Sequence, residues 1–203
     1  MSVGIFLGVR AGFPEEDADA YLEELRAILA AAGLPDYDES VTAAEARARY
    51  SKLHSAARCA YDTVGSSLRW LAREVVAKRG ARDAGPFADF AETTDRIFVP
   101  GEFSRALDAP SLPGETVWSL GALRTALRGA ALTLGLPLVN GAVPADVFRR
   151  IDGFKKLGKH DSATDEPDEH GFSVLEHHRP TWLSLNEFCR VAHENQIALV
   201  PSS

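Results

Sequence analysis

Residues 41–78 read VTAAEARARYSKLHSAARCAYDTVGSSLRWLAREVVAK, the longest helix-patterned stretch of the chain. Tyr50, Leu53, Ala57, Tyr61, Val64, Leu68, Leu71 and Val75 recur at helical spacing and make one apolar stripe, while Arg47, Lys52, Arg69, Arg73 and Lys78 fall off it. The pattern predicts a helix with one buried face, around which the other elements pack. Gly65-Ser66-Ser67 interrupts it. Glycine costs about 1 kcal/mol against alanine inside a helix, and serine competes for backbone hydrogen bonds, so a kink or two helices in series is expected.

Upstream, VGIFLGV (3–9) is a continuous apolar run of strand length, expected as a central strand covered on both faces. It has no basic segment before it and no small-residue cleavage site, which reads as a strand and not as a signal peptide. A helix follows, opened by Pro14 with Glu15, Glu16 and Asp17 at its positive end and stopped by Gly33 and Pro35. Its buried face is Ala18, Tyr21, Leu22, Leu25, Ile28 and Leu29.

Downstream, GARDAGPFADFAETTD (80–95) reads as a surface connection anchored by Phe87 and Phe90, and RIFVP (96–100) as a short strand closed by proline. SLPGE (111–115) is a turn. Val117, Leu120, Leu123, Leu127, Ala130 and Leu134 predict a helix, Asn140-Gly141 a turn, and Pro144 the start of a shorter helix with Val147, Phe148, Ile151 and Phe154 on its apolar face. Residues 158–171 are polar and aperiodic, a surface loop within one compact domain spanning 1–203. Pro180 is read as preceding a last helix that carries Trp182, Leu185, Phe188, Cys189 and Ala192, and IALV (197–200) as a closing strand. Three or four strands with about five helices, in an order that does not alternate regularly, specify an α+β domain, with a mixed α/β arrangement as the alternative.

The 203 residues are 45% hydrophobic and 25% charged, values of a globular chain that buries a full core. A net charge of −7, from 22 basic and 29 acidic residues, disfavours nucleic acid and anionic membranes and suits a basic protein partner. No apolar run approaches the roughly 20 residues that span a bilayer. Cys59 and Cys189 show no Cys-x-x-Cys spacing and read as core residues of a reduced, cytoplasmic protein.

Several residue types invite a chemical reading. His160, Asp161, His170, Glu176, His177 and His178 are metal-ligating types, but most fall in the aperiodic loop and match no zinc or calcium pattern, so no metal is assigned. Neither Gly-x-Gly-x-x-Gly nor a Walker A sequence occurs, and no cofactor is expected. Tyr50, His54, Arg58 and Tyr61 cluster at one-turn spacing and define a candidate ligand pocket with a titratable centre. Asp165, Glu166, Asp168 and Glu169, with Trp70 beside Arg69, define a candidate partner-binding set. No catalytic residue is assigned.

The ordered pieces AAGLPDY, YSKLHSAARCAY, IFVPGEF, LRTALRGAALTLGLPL and TWLSLNEFCRVAHENQIALVPS together resemble a group of small uncharacterised bacterial proteins. The resemblance implies one compact domain and contributes no catalytic residue; AETTD (91–95) stands where the group carries His-Ser-Asp. The leading expectation is a cytoplasmic protein-binding protein, an acidic inhibitor of the immunity type directed at a bacterial toxin. The alternative is a small-molecule enzyme or ligand-binding protein with its pocket near His54. Oligomeric state is not specified.

Overall fold

A computed structural model describes residues 4–57, 67–140, 142–154 and 173–202. Along them run β1 (Gly4–Leu7), α1 (Val9–Gly12), α2 (Glu15–Ala31), α3 (Ala43–Ala56), α4 (Ser67–Arg79), α5 (Ala81–Ala84), α6 (Pro86–Phe90), β2 (Ile97–Val99), β3 (Leu107–Asp108), β4 (Thr116–Ser119), α7 (Leu120–Thr133), α8 (Ala145–Phe154), α9 (Val174–Glu194) and β5 (Leu199–Ser202). The fold is α+β: the strands form one mixed sheet in the order β1-β5-β2-β4-β3, in which only β2 and β4 are parallel. With five strands among the described residues, the sheet is slightly larger than expected.

Side chains alternate across this sheet as strand geometry requires. Ile97, Val99, Val117, Ala198 and Val200 point to one face and join Val9, Ala18, Leu22, Leu25 and Leu29 of α1 and α2. Ile5, Leu7, Phe98, Trp118 and Leu199 point to the other and join the larger core built from α4, α6, α7 and α9. β2 is buried on both faces, with Ile97, Phe98 and Val99 all 0% exposed.

The apolar run 3–9 is therefore not the central strand. β1 lies at the sheet edge with only Ile5 and Leu7 fully buried, and the chain leaves extended geometry at Gly8 (φ 103°), so that Val9 opens α1. Gly8 N–H donates to Ala198 at 2.8 Å, which places the Gly4, Phe6 and Gly8 backbone toward β5 and the Ile5 carbonyl on the open edge. The Tyr50 hydroxyl donates to that carbonyl at 2.9 Å, so α3 covers the edge.

Three further boundaries differ from the periodicity reading. In the stretch 41–78, α3 ends at Ala56 and α4 begins at Ser67; Leu53, Ala57, Leu68, Leu71 and Val75 are core residues, and 58–66, with Tyr61, Val64 and the Gly65-Ser66 interruption, lie outside the described residues. Val117 and Trp118 belong to β4, because Ser119 Oγ accepts from Ala122 N–H at 2.9 Å and caps α7 there. The last helix starts at Val174, before Pro180. A capping box between Ser173 and Glu176 nucleates it, and Trp182, Leu183, Leu185, Phe188 and Cys189, all at most 1% exposed, hold it against the roughly 3 kcal/mol cost of an internal proline. This 21-residue α9 packs against α3, α4, α7, α8, β1 and β5, and it takes the central place expected of residues 41–78. Residues 80–95 are anchored by Phe87 and Phe90 as expected, but through α5 and α6. Cys189 is a buried free thiol, pushed by burial up to about 12; Cys59 lies outside the described residues.

A buried polar lock joins the two ends of the chain across the sheet. The Glu39 carboxylate, 6% exposed, accepts from Val9 N–H (2.7 Å), Arg10 N–H (3.0 Å) and the Tyr37 hydroxyl (2.5 Å). Tyr37 Oη accepts in turn from Ala198 N–H at 2.7 Å. Burial, and next the Glu39 carboxylate, hold the Tyr37 phenol well above its usual range. Because the folded pKa is raised, the contribution of the neutral phenol is complete below the unfolded value near 10 and is lost as pH rises beyond it. In urea titrations between pH 8 and pH 11, the stability advantage of the wild type over Tyr37→Phe should shrink by about 1.4 kcal/mol per pH unit above pH 10. A constant difference would contradict the assignment.

Candidate functional site

A groove opens at the C-terminal ends of the parallel strands β2 and β4, the end at which α/β sheets commonly present ligands. One wall is α5 and α6, turned into each other by Gly85 at φ 56° and carrying Arg82, Asp83 and Pro86. The second wall is the chain after β2, with Glu102, Phe103, Ser104 and Arg105. It is tied to the start of α7 by Ser119 Oγ donating to Phe103 O (2.5 Å) and Gly121 N–H donating to Gly101 O (3.3 Å). A Cβ at Gly121 would stand 2.3 Å from Glu102 Oε2 and 3.0 Å from Gly101 O, so a larger residue would turn the Glu102 side chain away. The third wall is Ala122 and Thr125 of α7, and the floor is Trp118, whose indole N–H donates to Asp89 at 2.7 Å.

The groove has two lobes, of about 250 Å³ and about 550 Å³. Arg82, Gly85, Ser104 and Trp118 line both. At the back of the smaller lobe, Arg79 donates to Gly129 O (3.3 Å) and Asp83 O (3.4 Å). Arg79 crosses α7 because Gly129 has no side chain; a Cβ there would lie 2.7 Å from the guanidinium carbon. At the rim, Arg124 Nη1 lies 2.8 Å from His193 Nε2, which is itself 3.9 Å from Glu102 Oε1. Among the described residues no base contacts the Ser104 or Thr125 hydroxyl. The described lining of the groove offers hydrogen-bonding and charged groups.

A second surface is set by charge. α2 exposes Glu15, Glu16, Asp17, Asp19 and Glu23, the first three around its N-terminal turn, while Ala18, Leu22, Leu25 and Leu29 are buried. Asp19 pairs with Arg10 at 2.5 Å, whereas Glu15, Glu16, Asp17 and Glu23 make no hydrogen bond or ion pair among the described residues. Arg26, the single basic residue of α2, is drawn to Asp36 and Asp38. Across the sheet, α4 presents Arg69, Trp70, Arg73 and Lys78 to solvent.

Of the pocket and partner-binding residues singled out from sequence, Tyr50 and Trp70 are described, and neither lines the groove. Tyr50 caps the β1 edge and stacks near Phe6, with 6.1 Å between ring centroids. The His54 side chain, Arg58 and Tyr61 lie outside the described residues, as do Asp165, Glu166, Asp168, Glu169, His160 and His170. Trp70 is 38% exposed with the Arg73 guanidinium 5.3 Å from its ring centroid. Glu176 is used in the α9 capping box, which lowers its carboxyl pKa through the Ser173 backbone hydrogen bond. Among the described residues no three His, Cys, Asp or Glu side chains are grouped to hold a metal, and no helix is long and apolar enough to cross a membrane. The groove residues escaped the sequence reading because they come from three separate segments, one of which contains GARDAG and carries no periodicity. Compared with known proteins, the chain matches no protein family, no curated protein and no solved structure.

Proposed function

We propose that the protein works by binding another protein, as an acidic inhibitor of the immunity type directed at a basic toxin. The observation that supports this is the exposed carboxylates Glu15, Glu16, Asp17 and Glu23 of α2, which make no hydrogen bond or ion pair among the described residues. Part of that charge stabilises the helix itself, since acids at the first turn offset the positive end of its dipole. Glu23 lies beyond the first turn, and all four carboxylates face solvent, where negative charge accelerates encounter with a basic surface.

The test is capture of the partner with the wild type, then association kinetics against a variant carrying Glu15→Lys, Glu16→Lys, Asp17→Lys and Glu23→Lys. The wild-type association rate should fall steeply with salt, because exposed charges are screened over about 8–10 Å at physiological ionic strength. Charge reversal should slow association by about tenfold or more with little change in dissociation. An association rate indifferent to both salt and charge reversal would sink the proposal.

A further inference from the structure

We propose that the groove between α5–α6 and α7 is a binding site for a small phosphorylated polyol, such as a sugar phosphate, a site independent of the inhibitor reading. Four side chains from three segments carry it: Arg82 of α5, Ser104 and Arg105 after β2, and Thr125 of α7. All four are exposed hydrogen-bond donors, and none has a hydrogen-bond or ion-pair partner within the described residues. The fixed guanidinium of Arg79 adds charge at the back of the smaller lobe. The groove lining carries three arginines, Arg79, Arg82 and Arg105, beside three carboxylates, Asp83, Asp89 and Glu102, a balanced set in a chain of net charge −7.

The donor set favours phosphate. Guanidinium forks bind phosphate and carboxylate oxygens in pairs, and hydroxyl donors from further directions suit a tetrahedral dianion with three free oxygens. Arg82 lines both lobes, so a phosphate beside it leaves the rest of the ligand to extend into either one. The polyol part follows from the acceptors. Asp83 and Glu102 line the smaller lobe, both exposed. They repel a bare anion but accept hydrogen bonds from ligand hydroxyls, while Phe103, Pro86 and Trp118 supply apolar surface for a carbon skeleton.

The two carboxylates and the arginines make opposite predictions, which the test exploits. Titration calorimetry of the full chain with ribose 5-phosphate, inorganic phosphate, sulfate and ribose should show ribose 5-phosphate binding tightest and ribose alone not binding at millimolar concentration. Arg82→Ala and Arg105→Ala should each weaken ribose 5-phosphate by about ten- to hundredfold, the effect of losing one charge-assisted hydrogen bond, without lowering the melting temperature. Glu102→Gln should tighten inorganic phosphate while narrowing the preference for ribose 5-phosphate over it. Absence of heat with ribose 5-phosphate, or affinity unchanged in both folded arginine variants, would overturn the proposal. Equal affinity for sulfate and ribose 5-phosphate would overturn its polyol half.

Discussion

Glu39→Ala is expected to lower the unfolding free energy by about 3–5 kcal/mol, a large part of the roughly 5–15 kcal/mol of an ordinary domain. The carboxylate is the acceptor for Val9 N–H and the Tyr37 hydroxyl, both buried, and for Arg10 N–H. Removing it leaves three donors without their acceptor, each costing about 1–3 kcal/mol where water does not reach. The Arg10 side chain keeps its bond from Nε to Glu39 O (2.9 Å) and its pairing with Asp19, which limits the loss. Glu39→Gln should fall between, because the amide oxygen accepts from some of these donors while its NH₂ group opposes the rest. Urea unfolding of the three proteins checks the order, and amide exchange at Val9 and Arg10 should quicken in the alanine variant. A cost under about 1 kcal/mol would mean that water or a rearranged loop replaces the carboxylate.

Gly114→Ala is expected to cost about 4 kcal/mol, and the reason is geometric. Gly114 sits at φ 78°, where an L side chain is strained, and its Cβ would lie 1.8 Å from Asp95 O and 2.3 Å from Arg96 Nη1. Asp95 O is backbone at the entrance to β2, so relief requires the turn to move off the sheet. That turn is pinned by Arg96, 5% exposed, whose Nη1 donates to Gly114 O and Asp95 O (both 2.7 Å) and whose Nη2 donates to Asp89 O (3.1 Å). The Asp89 carboxylate in turn accepts from Trp118 Nε1 and, at 3.3 Å, from Thr116 Oγ1. Displacement of Arg96 should therefore reach the groove floor, visible as a shift of the Trp118 indole N–H resonance along with the lowered denaturant midpoint. A variant of wild-type stability with an unmoved indole signal would show that the turn accommodates a methyl group.

The two predictions differ in how far the sequence announces them. Pro113-Gly114 is a turn signal by itself, and the turn is where SLPGE places it. Nothing in the sequence says that an arginine eighteen residues earlier closes over it, because that contact needs β2 and β4 side by side. Glu39 lies in the stretch PDYDES, whose composition reads as solvent-exposed loop, and a buried carboxylate is statistically rare there. Only the positive-φ turn at Gly8, which brings two backbone N–H groups to one point, makes its burial favourable.

Local chemistry determined helices such as α2 and α7: the spacing of Leu22, Leu25 and Leu29, the proline and acidic start of α2, and the alanine- and leucine-rich α7 act through neighbours one turn apart. The same locality specified the α+β class. Tertiary structure decided everything that depends on which strand lies beside which. It set β1 at the edge where its apolarity suggested the centre, extended α9 through Pro180 because burial outweighs one lost hydrogen bond, and made Val117 and Trp118 strand residues through pairing with β2 and β3. It also assembled the groove, whose arginines, hydroxyls and carboxylates are ordinary surface residues in sequence and come together only by converging from distant segments.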